Sequence, residues 1–416
     1  MRHSLFPLLV GNALLVLGTG LQSVLLPVRA RLEGYTDRML GLLGAGYYLG
    51  FVLGCLAVPF LVRRVGHSRA FTVLAVVAAE TFPWHAALLS WPAWVGLRAV
   101  TGVCLAGLSM VIESWINETS ANAERGRMLA TYLVVTACAT MAGQSMLHLA
   151  DPATVTGFLL VALCIGLSLV PLTVSAAPVP RRRSRVWPDL GRLYRTSPAA
   201  AAGCLSVGLI NGAFWSLVPA VLQSHGATAG RVATFMSIAV AGGALAQWPV
   251  GRVADRCDRR WVMLAACGGA LLVGLPLGLM HGLPWAAQLA LAAAFGAASF
   301  PLYALSAAHA NDHAEPDEFV QTSGGLLLAF GVGAVVGPLV AAWAMAAAEG
   351  GLFLFTAVVH LGLAIFVAHR MTLRGPPHTK EAPAASPEGG QAEPVLSPRS
   401  VSGFRVTCRI GGGDKW

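Results

Sequence analysis

Charge is scarce in this chain of 416 residues: Asp, Glu, Lys and Arg together make up 11%, where soluble domains carry about 25%. Lysine is almost missing, with Lys380 and Lys415 both in the last stretch. There is no basic soluble domain, so a nucleic-acid partner is excluded. No G-x-x-x-x-G-K-[ST] loop is present, so ATP does not drive the protein directly. H-E-x-x-H and G-x-S-x-G are missing too, and without a converging acid, base and nucleophile the chain does not read as an enzyme. Eight cysteines (Cys55, Cys104, Cys138, Cys164, Cys204, Cys257, Cys267, Cys408) form no C-x-x-C pair and read as free thiols acting as small apolar residues. His309 and His313 are spaced i, i+4 with no further ligand nearby, so neither metal nor cofactor is expected.

What the chain has is hydrophobic length. Apolar residues make up 56%, and about 20 in a row span the hydrocarbon core. Twelve such runs lie near 5–28, 40–62, 70–90, 92–116, 127–149, 153–174, 199–223, 232–251, 261–281, 285–309, 320–346 and 351–369. β-Barrel strands would be shorter and alternating, so the runs are helices. The 47 glycines suit helices that pack closely in lipid. The first run is too long for a cleaved signal and lacks a small-x-small cleavage site.

The second half repeats the first. Gly20, Pro27 and Arg64 match Gly212, Pro219 and Arg256 at an offset of 192. Gly102, Asn117-Glu118 and Gly143 match Gly296, Asn311-Asp312 and Gly337 at 194. The expected fold is therefore an all-α membrane protein of twelve transmembrane helices in two pseudo-symmetric six-helix bundles. The bundles cover 1–174 and 199–370, with a loop at 175–198 lying on the membrane surface and a disordered tail at 371–416. With the N-terminus in the cytoplasm, 23 of the 28 basic residues fall inside, against Arg29, Arg31, Arg38 and Arg231 outside and Arg98 within a span. This obeys the positive-inside rule with both termini cytoplasmic. The net charge of +9 then reflects topology and contact with anionic lipid.

The loop Gly251-Arg252-Val253-Ala254-Asp255-Arg256-Cys257-Asp258-Arg259-Arg260 resembles the G-x-x-x-D-R-x-G-R-R signature of the major facilitator superfamily. Asp258 stands where the signature has its second glycine. The first-half copy keeps Arg64-Val65-Gly66 but has Pro59 for the glycine and Arg63 for the aspartate. Arg98-x-x-x-Gly102 resembles the R-x-x-x-G motif of span 4. Ile112-Glu113-Ser114-Trp115-Ile116-Asn117-Glu118, Arg125-Gly126-Arg127 and Gln247-Trp248-Pro249 are similar to the YcaD-like branch. The resemblance implies transport in the bacterial inner membrane. It also implies that Asp255 engages the start of span 5 in one state and releases it in the other, as a carboxylate at a helix N-terminus can.

Charges inside hydrocarbon mark function. Glu80 and Arg98 lie ten and eight residues from a turn near Ser90, about 3 Å apart in depth at 1.5 Å per residue, which predicts a buried pair that changes with proton or substrate. Glu113 is expected in an inner charge network with Arg125 or Arg127. By the resemblance the cavity is lined by spans 1, 4, 7 and 10, which carry Asn12, Gln22, Arg98, Asn211, Trp215, Gln223 and Tyr303. Gln144, Tyr47 and Tyr48 are further candidates, and Pro27, Pro219, Pro301 and Pro338 are candidate hinges. Amides and an indole around an arginine suit a small polar or anionic solute with an apolar part.

The expected function is secondary active transport of a small solute by alternating access, coupled to protons, with the bilayer as its other partner and a monomer sufficient. Drug–proton antiporters of the superfamily carry G-x-x-x-G-P in span 5. Here that run is in span 11, Gly333 to Pro338, and span 5 has no proline after Gly143. Export is kept ahead of proton-coupled or facilitated import of a metabolite. A membrane solute sensor is the non-transport alternative.

Overall fold

The computed structural model describes residues 5–119, 125–174, 189–279, 282–314 and 319–373. The first half holds α1 (Leu5–Leu32), α2 (Asp37–Val65), α3 (His67–Ala87), α4 (Trp91–Thr119), α5 (Arg125–Ser145), α6 (Thr156–Leu167) and α7 (Leu169–Val174). A short α8 (Leu190–Thr196) precedes the second half, α9 (Pro198–Ser224), α10 (Ala229–Ala254), α11 (Arg259–Gly278), α12 (Trp285–Ser299), α13 (Leu302–His313), α14 (Phe319–Ala347) and α15 (Gly351–Leu373).

Local chemistry sets these ends. Thr36 caps α2 by accepting from the Met39 amide, and Thr228 caps α10 by accepting from Arg231. Gly66 ends α2 and starts α3 with φ 86°, a left-handed conformation that costs glycine nothing. Ten helical segments are long and apolar enough to cross a membrane. The α5 helix and the α6–α7 pair supply two more passes. The α5 helix packs on α1 and α10 and leaves Leu129, Leu133 and Val134 exposed.

The duplication read from the sequence is a duplication of contacts. Within the first half α1 packs on α5 and α6, α2 on α4, and α3 on α4 and α6; within the second, α9 packs on α14 and α15, α10 on α12, and α11 on α12 and α15. The matched glycines sit at the matched crossings. A Cβ on Gly20 would run into the Thr140 backbone and one on Gly143 into Leu17; in the second half Gly212 meets Ala334 and Gly337 meets Leu209. Gly102 and Gly296 do the same against Tyr47 and Ala239. Backbones that touch gain dispersion contacts where lipid offers no hydrophobic drive between helices.

Two expected spans are broken. The sixth is interrupted at Ser168, between α6 and α7. The tenth breaks between Ser299 and Leu302, at Pro301, whose ring removes a helical hydrogen bond. Pro27, Pro219 and Pro338, also expected to break their spans, lie inside continuous helices. The linker read as a loop contains α8, capped by Asp189 accepting from the Arg192 amide. Residues 175–188 and the tail from 374 lie outside the described residues.

The bundle has an arginine-rich end, with Arg63, Arg64, Arg69, Arg127, Arg252, Arg256, Arg259 and Arg260, and an arginine-poor end, with Arg29, Arg31, Arg38 and Arg231. At the arginine-poor end the halves touch. Pro338 and Ala342 of α14 pack on Gly41 and Gly44 of α2. Ser237 of α10 donates to Gln144 Oε1 at 3.2 Å and to the Met141 carbonyl at 3.3 Å, both on α5. Toward the other end α10 is exposed at Ala244, Leu245, Gln247, Trp248 and Pro249. Those positions sweep round the helix, so this part stands clear of α5.

Candidate functional site

Just beneath the closed end lies a cavity of about 220 Å³, walled by α1, α2, α4, α5 and α9 and therefore by both halves. The absent side chain of Gly20 lets α5 approach α1, which brings Thr140 to the wall beside Thr19, Gln22 and Ser23. The α2 helix contributes Tyr47 and Tyr48, α4 contributes Trp94 and Arg98, and α9 contributes Trp215 and Ser216.

Arg98 is the one charged residue on this wall. Its guanidinium carbon lies 4.2 Å from the centre of the Tyr47 ring, a cation–π contact, and Tyr47 meets Tyr48 edge-on at 5.1 Å. Arg98 Nη1, Gln22 Oε1 and Ser216 Oγ are buried with no hydrogen-bond partner. By contrast Ser23 donates to the Gly20 carbonyl at 2.7 Å and Thr140 to the Thr136 carbonyl at 2.8 Å, so these hydroxyls can only accept from a ligand. Trp215 stacks on Phe300 at 5.8 Å, next to the break at Pro301. A flat aromatic wall, one cation and several unsatisfied polar atoms are what a site for a small amphipathic molecule needs.

Of the residues singled out from sequence, Gln22, Arg98 and Trp215 meet in this cavity. Tyr303 instead packs on Phe330 at 5.6 Å, outside the lining. Asn211 is one turn along α9 from Trp215, also outside it, with a buried, unpartnered Oδ1. Gln144 is fully buried and ties α5 to α10 through Ser237. The predicted Glu80–Arg98 pair does not form. Thr81 faces Thr101 across the α3–α4 seam at 3.0 Å, and Glu80, about 100° further round the helix, is exposed. Glu113 accepts from the Tyr132 hydroxyl of α5 at 3.2 Å; the side chain of Arg125, one of its expected partners, lies outside the described residues. The sequence reading missed Trp94, Thr140 and Ser216. Ser216 was signalled only by standing next to Trp215.

At the arginine-rich end the loop signature is a set of ion pairs. Asp255 reaches Arg259 at 3.4 Å, and Arg259 reaches Asp312 at the end of α13 at 2.7 Å. Asp258 pairs with Arg260 at 2.6 Å and caps α11 by accepting from the Arg260 amide at 3.0 Å. Burial raises the Asp258 carboxyl, but the hydrogen bonds and charge of Arg260 outweigh it and hold the group below its ordinary range. Arg64 and Arg256 are exposed, Gly66 turns the chain, and Gly251 leaves open space where a side chain would be.

Residues 200–409 match the Major Facilitator Superfamily. The chain belongs to that superfamily. As a Major Facilitator Superfamily protein it is a multi-pass membrane transporter and not an enzyme. Its sequence is 28% identical over 348 residues to an uncharacterized MFS-type transporter of Enterobacter sp. (strain 638), covering 81% of this chain and 88% of the relative. It is 26% identical over 375 residues to the uncharacterized MFS-type transporter YcaD of Escherichia fergusonii, covering 89% and 96%. Among solved structures, a mutant of the nucleoside transporter NupG superposes with a TM-score of 0.74 at 12% identity, over 88% of this chain and 98% of that one. The D-xylose–proton symporter superposes with a TM-score of 0.64 at 14% identity, over 88% and 95%. At such identities the likeness is one of fold.

Proposed function

We propose that this superfamily member is a secondary active transporter that binds a small solute in the 220 Å³ cavity and exposes it to each face in turn. The observation that carries this reading is the placement of the cavity: both repeats wall it, and one end is closed by contact between them. Rocking two rigid bundles about such a site is how pseudo-symmetric transporters give alternating access. The bias of arginine supports an open end that faces the cytoplasm of a bacterium, with both termini there, and hence an inward-facing state. Its volume is below the roughly 300–1,000 Å³ of drug-sized pockets, which favours a metabolite-sized solute. Export remains ahead of import as the direction.

In this reading Gln22, Arg98 and Trp215 hold the solute, and Asn211 and Tyr303 line its path. Asp255 and the arginines of its loop latch the cytoplasmic end when it closes. Here Asp255 rests on Arg259, as expected for a latch that has been released. Coupling to protons falls to Glu113, because Glu80 faces away from the helix core and no carboxylate lines the cavity. A carboxylate with a phenol as its partner, on the open side, can take up a proton in this state and release it when the halves rock.

The test uses proteoliposomes loaded with a pH-sensitive dye and offered nucleosides, pentoses and small organic acids in turn. The wild type should move at least one solute together with a change in lumenal pH. Glu113→Gln should abolish the pH change and gradient-driven accumulation, while exchange of labelled for unlabelled solute continues within about threefold. Loss of exchange and pH signal in equal measure would remove Glu113 from the coupling role.

A further inference from the structure

The cavity holds a cation that the protein does not neutralise. We infer that the solute carries the missing charge: the site takes a small organic monoanion, a carboxylate on an apolar or aromatic body, with Arg98 as its anchor. This rests on the transporter reading and adds the substrate class to it.

An arginine withdrawn from water without a counter-ion costs several kcal/mol, and intramembrane arginines are normally paired. Arg98 departs from that rule. No aspartate or glutamate lines the cavity, and among the described residues Arg98 has no ion pair, its Nη1 being left without any hydrogen bond. Its neighbours are neutral. Tyr47 offers a ring face, which leaves the in-plane N–H donors of the guanidinium unused. His85, close by on α3, is held through Nδ1 to the Thr81 carbonyl at 2.7 Å, and it offers Arg98 no negative charge. A guanidinium with its donors free matches a carboxylate in charge and geometry.

The rest of the wall fixes the rest of the ligand. Trp94, Trp215, Tyr48, Leu26 and Leu43 supply an apolar surface for the body. Gln22 Oε1, unpartnered and in a residue only 4% exposed, asks for a donor, which a hydroxyl or amide on the same molecule would supply. A cation is the wrong partner: it would meet Arg98 with nothing on the wall to offset the repulsion. A neutral solute could accept from the guanidinium but would leave its charge without a counter-ion.

The experiment is done on the full chain in lipid nanodiscs and in proteoliposomes. The probes are matched triplets of one shape and three charges: isovalerate, isovaleramide and isoamylammonium; benzoate, benzamide and benzylammonium; mandelate and its amide and amine counterparts. Binding is read from tryptophan fluorescence, since Trp94 and Trp215 line the cavity, and flux is read from uptake of the labelled probe. At least one anion should bind about tenfold or more tightly than both of its twins. That preference should vanish in Arg98→Ala, the loss expected when a charge-assisted hydrogen bond is removed. Arg98→Lys should keep the preference for the anion at weaker affinity, which separates lost charge from lost folding. An amide or amine preferred over its acid, an anion preference that survives Arg98→Ala, or no response from any anion overturns the proposal. The two readings fail separately. Uptake by the wild type of a neutral or cationic twin in preference to its acid leaves a transporter without an anion site; binding of the anion without uptake leaves an anion site without a transporter.

Discussion

At the scale of single residues, Asp258 shows how a departure from a family signature can be structural. Aspartate in place of glycine supplies both the cap of α11 and the partner of Arg260. Losing a cap costs about 1 kcal/mol, and losing a charged hydrogen bond adds about as much again. Asp258→Ala should therefore lower the stability of the purified protein by about 1–3 kcal/mol at pH 7. The carboxyl is held below its ordinary value in the folded chain. Its contribution is thus complete above the unfolded pKa, near 3.9, and is lost as pH falls through the lower folded value. Thermal melts of wild type and variant should converge as the pH is brought from 5 towards 3, and a gap that stays constant over that range would deny the linkage. Glu80 teaches the opposite lesson. Its depth in the membrane was legible from its distance to the turn, but its direction was not. Hairpin geometry fixes height, while Thr81 and Thr101 decide which side of α3 meets α4.

At the scale of elements, the seams are made by residues with little or no side chain. The Gly20–Gly212, Gly102–Gly296 and Gly143–Gly337 matches were visible as a repeat, and the structure shows why each pair is there: every member lies where two backbones cross. The interruption at Pro301 was among those expected from proline, whereas the one at Ser168 was not legible, because the apolar run continues across it and hydropathy carries no mark of a broken hydrogen bond. The α2–α14 seam tests the role of such positions between the halves. A Cβ on Gly41 would stand 2.7 Å from Ala342 Cβ and 2.8 Å from the Pro338 carbonyl, and neither can move without its helix. Gly41→Val should force these helices apart at a cost of about 1–3 kcal/mol. Spin labels placed across the arginine-poor end should then report a longer mean distance, with a smaller inward-facing population. An unchanged distance distribution would show that the seam does not govern closure.

At the scale of the whole molecule, the twelve-pass, two-bundle plan followed from composition, period and repeat. The cavity followed only in part. Gln22, Arg98 and Trp215 were found because polar and charged groups are rare in apolar helices and stand out. Trp94 and Thr140 were not, because on a helix of mixed small and apolar residues nothing in one sequence says which face turns inward. Gln144 belongs to this scale as well, since it ties one bundle to the other through Ser237. In a background freed of native cysteines, Gln144→Cys with Ser237→Cys should form a disulfide on oxidation. That bond should cut transport by at least about tenfold, with recovery on reduction. Full activity in the crosslinked protein would mean that the halves need not part at this end.

The two ends of the molecule are closed by different materials. Where the halves now meet, the contacts are made by glycine, alanine and proline, with the hydroxyls of Ser237 and Thr234 bonded to Gln144, Met141 and His148, and none of these is an ion pair for dissolved ions to screen. The opposite end offers Asp255, Asp312 and a crowd of arginines, whose attractions weaken within a Debye length of about 8 Å at physiological ionic strength. If the halves rock as proposed, the balance between the two orientations should therefore respond to salt on the arginine-rich face of the membrane far more than to salt on the other.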